Sequence, residues 1–186
     1  MSKLKEYYDD YTKRCLLIHC AKCAGSSMSK APFILKYGSQ TIPPTSEFIK
    51  SLRFRFSFVR NPYDRFASTL LNLEYATPET FEKYTLTTFK NGYKERFANS
   101  DFDWQNLWPA SKFLYFDGKL EVDFVGRFEN LLTDWDKVCE MIDDEFELPH
   151  LNKSKYKSYD RFYTPATRKI VRKAYADDFA LFDYKL

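Results

Sequence analysis

Histidine is scarce in this chain, long apolar runs are missing, and charge of neither sign dominates. Its two histidines, His19 and His150, and four scattered cysteines form no spacing that would hold zinc, so no metal is expected. No stretch approaches the roughly 18 apolar residues of a membrane span. The first residues, MSKLKEYYDDYTKR, are charged and aromatic. The chain therefore reads as soluble and cytoplasmic, with no membrane anchor. A net charge of +3 is too small to argue for nucleic-acid binding, yet it allows a local basic cleft. With no secretion signal, Cys15, Cys20, Cys23 and Cys139 read as reduced thiols rather than a disulfide framework. The Walker pattern, GxxxxGK followed by Ser or Thr, is absent as well, which speaks against an ordinary nucleoside triphosphatase. Internal repeats and low-complexity tracts are not seen.

What the chain does contain is enough apolar and aromatic sequence for one sizeable core. At 186 residues, 44% of them hydrophobic, it reads as a single domain over 1–186. The run RCLLIHC predicts a buried strand, followed by a helix from Gly25 to about Tyr37 that Pro32 disturbs. Phe54–Val59 predicts a second buried strand. Asn61 as N-cap and Pro62 at the first helical position start a helix with Phe66, Leu70 and Leu73 as its apolar stripe. Pro78 to about Phe89 reads as another helix, and Asn99–Pro109 as a long loop. Val122–Gly126 is a third strand candidate, with a helix after it marked by Leu131, Trp135, Val138, Cys139 and Ile142. Thr164-Pro165 starts a last helix reaching Phe182. Strands alternating with helices imply an α/β fold with a mainly parallel sheet covered by helices.

Two segments stand out. CLLIHCAKCAGSS (Cys15–Ser27) and FRFSFVRNPYDRFAS (Phe54–Ser68) each read as a buried strand, then a polar turn, then a helix start. Each turn places a cation and hydroxyls where helix amides point outward, which suits a phosphate-like group. In the first, Lys22 adds charge, Gly25 allows close backbone approach, and Ser26 and Ser27 add hydroxyls. In the second, the Arg60 fork recognises an anion bidentately, and Asn61, Asp64 and Ser68 share a helix face. Asp64 suits capping or orienting rather than anion binding, and Arg65 suits a surface pair. Either segment alone is also compatible with an ordinary capped helix start. Two together suggest a ligand with phosphate-like groups at two ends.

IHCAKCAGSS resembles the IHxPKTAGTS segment of sulfotransferases that use 3′-phosphoadenosine 5′-phosphosulfate (PAPS), in the carbohydrate branch akin to sulfotransferase family 2. Ala21 and Cys23 depart from its proline and threonine. FVRNPYDRFAS, VDFVGRFENLLTDWDKVC and LPHLNKSKYKSYDRFYTPATRKIV extend the similarity over most of the chain. The resemblance implies a three-layer P-loop-like fold. It implies that Lys22, Ala24, Gly25, Ser26 and Ser27 hold the 5′-phosphosulfate, and that Arg60 and Ser68 hold the 3′-phosphate. It implies transfer of a sulfuryl group to a hydroxyl, with a carbohydrate as acceptor and 3′-phosphoadenosine 5′-phosphate (PAP) as product. Lys153, Ser154 and Lys155 are candidates to close over the donor.

The general base is harder to place. Glu47 is the one carboxylate between Ser26 and Val59 and is the first choice; Glu74 is the second. His19, inside the strand end, and His150 read as structural. In NLWPASKFL, Asn106 and Ala110 stand where the family pattern H-x-x-P-Q carries histidine and glutamine. A donor-binding protein with weak or lost transfer is therefore an alternative. So is a thiol–disulfide protein built on Cys20-Ala-Lys-Cys23, although that reading leaves FVRNPYDRFAS unexplained.

Overall fold

A computed structural model describes residues 15–32, 34–37, 54–89, 106–149 and 156–185. These fall into two compact units, each assembled from two stretches of chain. The first draws on Met1–Val59 and Lys112–Asn152, the second on Arg60–Ser111 and Lys153–Leu186.

The first unit is built on a sheet. Strands β1 (Cys15–Ile18), β2 (Ile34–Tyr37), β3 (Phe54–Val59) and β6 (Phe124–Arg127) are ordered β2-β1-β3-β6, and all their pairings are parallel. In sequence order the chain steps from β1 outward to β2, then returns to pair β3 against the other side of β1. That reversal is a topological switch point, where open α/β sheets bind ligands outside the carboxyl ends of their strands. The short antiparallel pair β4 (Tyr115–Phe116) and β5 (Lys119–Leu120) turns through Asp117-Gly118, with φ of +47° and +76°. Two positive φ values match the twist of a tight hairpin, and Asp-Gly suits both; this hairpin is not among the elements expected from the sequence.

Strand β2 corrects the expected helix over Gly25–Tyr37. Helix α1 spans only Gly25–Met28. The backbone then unwinds through Lys30→Ser27, Ala31→Met28 and Ile34→Ala31 amide-to-carbonyl bonds. Pro32 cannot donate and pushes Ala31 out of helical conformation, so Ile34 onward is released to pair in register with β1.

The aromatic face of β3 meets the helix after β6. Phe56 lies 6.2 Å, centroid to centroid, from Trp135 of α5 (Leu131–Ile142), and Phe58 lies 6.5 Å from Phe124. Phe58 is register partner to Gly126, where an added Cβ would fall 2.5 Å from the Phe58 ring. Gly126 is thus required by its aromatic neighbour. Asp134 anchors α5 to the strand: its carboxylate accepts the Arg127 amide and the Lys137 ammonium, both at 2.8 Å.

The second unit is helical: α2 (Pro62–Asn72), α3 (Phe81–Phe89), α6 (Pro165–Ala174) and α7 (Ala176–Leu181). Asn61 caps α2 by accepting the Tyr63 amide, with Pro62 at the first turn as the sequence implies. Thr164 and Thr167 form a reciprocal cap on α6. The core is aromatic: Phe66 meets Phe81, Phe89 and Tyr175, and Tyr63 meets Tyr163 and Phe179. Two expectations fail here. Leu73 is not on the buried stripe but is the exposed C-cap, because the chain turns at Glu74 with φ of +59°. The last helix breaks at Tyr175, whose phenol donates to the Leu107 carbonyl at 2.6 Å while Asp178 accepts the Ala110 and Ser111 amides.

Replacing Gly126 by alanine should cost about 1–3 kcal/mol in urea denaturation, and the loss should shrink when Phe58 is also replaced by leucine. Burial pushes the Asp134 carboxyl up, but the Lys137 hydrogen bond, the Arg127 amide and both positive charges outweigh it and hold the group below its ordinary value. A depressed folded-state value means stability that is fully present at neutral pH. It is lost as pH falls below the ordinary carboxylate range toward the folded value. Asp134→Asn should flatten the acid limb of a plot of urea midpoint against pH; an unchanged limb would show that Asp134 does not carry it.

Candidate active site

The first candidate seat lies in the sheet unit. His19–Ala24 carries the chain from β1 to α1 at the carboxyl end of β1, beside the switch point. Ser57, buried within β3, fixes the start of this loop. Its hydroxyl donates to the Ile18 carbonyl at 2.6 Å and lies 3.5 Å from the Cys20 thiol. Lys22 and Ala24 adopt φ of +66° and +65°. Left-handed backbone at residues with a Cβ costs on the order of 1–2 kcal/mol each and persists only where the surroundings impose it. Loops of this kind turn successive amides toward a common side, which suits an anion.

Ala24 offers α1 no side-chain cap; its carbonyl accepts the Ser27 and Met28 amides at 2.9 and 3.2 Å. The first-turn amides without an intrahelical acceptor are therefore those of Gly25 and Ser26. Ser26 is exposed, Lys22 half-buried and Ser27 buried. The expected reason for Gly25 needs revision. A Cβ there would fall 1.8 Å from Cδ2 of His19, so the space that glycine leaves is filled by the imidazole. His19 shapes the loop from within, in keeping with a structural role.

Cys20 and Cys23 are 2% and 1% exposed, and the Cys23 thiol lies 3.5 Å from the Ala21 carbonyl. Thiols so enclosed do not meet a partner disulfide, which weighs against thiol–disulfide chemistry.

The second candidate seat lies in the helical unit, around the start of α2. Arg60 is 5% exposed, and its Nε donates to Asp64 Oδ2 at 2.8 Å. Asp64 orients the guanidinium, as its place one turn along the helix implies. Its other oxygen accepts the Tyr156 phenol at 3.0 Å. Burial first, then the neighbouring Asp64 charge, pushes the Tyr156 phenol above its ordinary value, so it remains a proton donor. Ser68 is 1% exposed and accepts from the Asn72 side-chain amide at 3.1 Å.

Arg65 does not pair at the surface. It is fully buried, donates to the Trp108 carbonyl and lies over the Tyr175 ring at 5.4 Å. Asn106 contributes its carbonyl to Thr69. Ala110 is buried, with its amide committed to Asp178. Glu74 is exposed in its turn, with φ of +59°. Glu47, His150, Lys153, Ser154 and Lys155 lie outside the described residues. Sequence reasoning missed Ser57 and Tyr156. Ser57 had a signal, as the one hydroxyl inside FRFSFV; Tyr156 had none, since its role depends on a helix 92 residues away in the chain.

The model of the sulfotransferase family matches residues 19–185. The chain belongs to the sulfotransferase family. The parallel sheet and its strand–loop–helix order agree with the expected α/β, P-loop-like architecture of a sulfotransferase. Membership makes this protein a transferase of sulfuryl groups, with a hydroxyl-bearing acceptor. No curated protein and no solved structure matches the chain. Among the described residues, no helix is long and apolar enough to cross a membrane.

Native protein at neutral pH should resist iodoacetamide, whereas urea-unfolded protein should take up four labels, counted by mass spectrometry. Rapid native labelling at Cys20 or Cys23 would restore the redox reading of this sulfotransferase.

Proposed function

We propose that this sulfotransferase uses PAPS as donor and sulfates a carbohydrate hydroxyl. One observation carries the reading: a lysine loop with two left-handed residues leaves β1 beside the switch point of a parallel sheet. The donor set fits the group, with an ammonium, first-turn amides and hydroxyls at the lysine loop. At the start of α2 stand a buried guanidinium, already oriented by Asp64, and a hydroxyl. On this reading Lys22, Ala24, Gly25, Ser26 and Ser27 bind the 5′-phosphosulfate, and Arg60 and Ser68 bind the 3′-phosphate.

PAPS supplies the activated sulfuryl group when bound and leaves as PAP. Sulfuryl transfer resembles phosphoryl transfer, in which positioning and electrostatics do most of the work. The acceptor oxygen forms a bond to sulfur as the bond from sulfur to the phosphate oxygen breaks. Lys22 neutralises the charge gathering on that phosphate oxygen, and the Gly25 and Ser26 amides hold the sulfonate oxygens. Glu47 takes the acceptor proton, a step worth roughly 10²–10⁴-fold.

A second reading, a donor-binding protein with weak transfer, is favoured by Asn106 and Ala110. The family pattern has histidine and glutamine there, whereas here one residue is an amide and the other a buried methyl.

Calorimetry should find PAP bound more tightly than ATP. Arg60→Ala should weaken PAP binding by at least roughly tenfold, the worth of a charge-assisted bond. Lys22→Ala and Glu47→Gln should mainly lower turnover. Full PAP affinity in Arg60→Ala would sink the 3′-phosphate assignment, and PAP binding without transfer to any sugar would favour the second reading.

A further inference from the structure

A carboxylate beside an anion seat is an electrostatic liability. Asp64 stands one helical turn from Arg60 and one turn before Ser68, where an incoming phosphate would meet its negative charge. The cost depends on which way its oxygens face and what they hold. Oδ2 takes the Arg60 Nε at 2.8 Å, and Oδ1 takes the Tyr156 phenol at 3.0 Å. The same phenol lies 3.3 Å from the Asp64 carbonyl, which ties it to the helix backbone as well. Phe162 fixes the ring from its edge, at 5.2 Å and 86°. Tyr156 is half-buried and stays protonated, so it offers a standing donor rather than a titrating one.

We infer that Tyr156 is a positioning residue of the Arg60 seat, acting through Asp64. Its hydroxyl donates to Oδ1 while Arg60 Nε donates to Oδ2, and so keeps the carboxylate turned onto Nε. The guanidinium then keeps one orientation. Without the phenol, Asp64 is left with less neutralisation, is freer to rotate, and repels a dianion more strongly. The inference rests on the assignment of a 3′-phosphate to Arg60 and Ser68.

The test compares PAP with adenosine 5′-phosphate, which lacks only the 3′-phosphate, by calorimetry on the intact chain. Wild type should bind PAP at least tenfold more tightly. Tyr156→Phe removes one oxygen and keeps the ring on Phe162; because it acts on the anion only through Asp64, it should weaken PAP about 5–10-fold, the worth of one ordinary hydrogen bond, and leave adenosine 5′-phosphate unchanged. In an Asp64→Asn background, which also removes the repulsive charge, the same substitution should change PAP affinity less than about twofold. Equal loss of both ligands in Tyr156→Phe, no loss of either, or an undiminished effect beside Asp64→Asn would overturn the inference while leaving the 3′-phosphate assignment standing. A wild type that does not distinguish the two ligands would overturn that assignment, and the inference with it. Should Tyr156→Phe fail to fold, as judged by thermal melting, Tyr156→His keeps a ring donor and should retain the PAP preference; its loss would likewise overturn the inference.

Discussion

The pairing of β1 with β3 is the interaction on which the rest depends. Cys15 faces Phe54 and Leu17 faces Phe56 in a parallel ladder, and the chain visits β2 on the far side of β1 before making it. Because the strands are parallel, their carboxyl ends share an edge. The order reverses between them, which makes that edge the topological switch point of the sheet. Ser57 strengthens the same junction from inside β3, holding the Ile18 carbonyl and the Cys20 thiol where the lysine loop begins. The left-handed residues Lys22 and Ala24 are sustained by that anchor and by the His19 ring against Gly25. The place of the lysine loop, at the carboxyl end of β1, follows from the sheet order beneath it.

Charge in this sulfotransferase is handled by pairing rather than by excess. The net charge is slight, yet buried or half-buried ionic groups recur where backbone must be fixed. Asp134 ties α5 to β6, Asp178 holds the Ala110 and Ser111 amides, and Asp64 orients Arg60. Each carboxylate accepts from at least two donors, which offsets the cost of burying it. Arg65 reads like a surface residue in sequence but is enclosed, because the aromatic core of its unit gives it Tyr175 to lie on and the Trp108 carbonyl to bond.

Local chemistry was the legible part of the chain. Asn61-Pro62 and Thr164-Pro165 started helices because caps and proline act within a few residues. The apolar runs at Cys15 and Phe54 became strands because buried parallel strands are continuous apolar segments. The segment after Gly25 misled. Its residues suit a helix, and only the free edge of β1 made pairing the better use of Ile34–Tyr37. The single long C-terminal helix failed for a similar reason, since Tyr175 and Asp178 answer to partners near residue 110, far away in sequence.

The sequence by itself determined the family, the α/β class and the kinds of groups at each seat, since these lie in contiguous motifs whose spacing carries the chemistry. Tertiary structure alone decided how those groups are held. It gave the space above Gly25 to His19, set Ser57 under the lysine loop, buried Ser68, and brought Tyr156 to Asp64. The Ser57 and Tyr156 contacts join residues tens of positions apart. No local spacing encodes them, because they exist only once the sheet order and the aromatic core have fixed which segments meet.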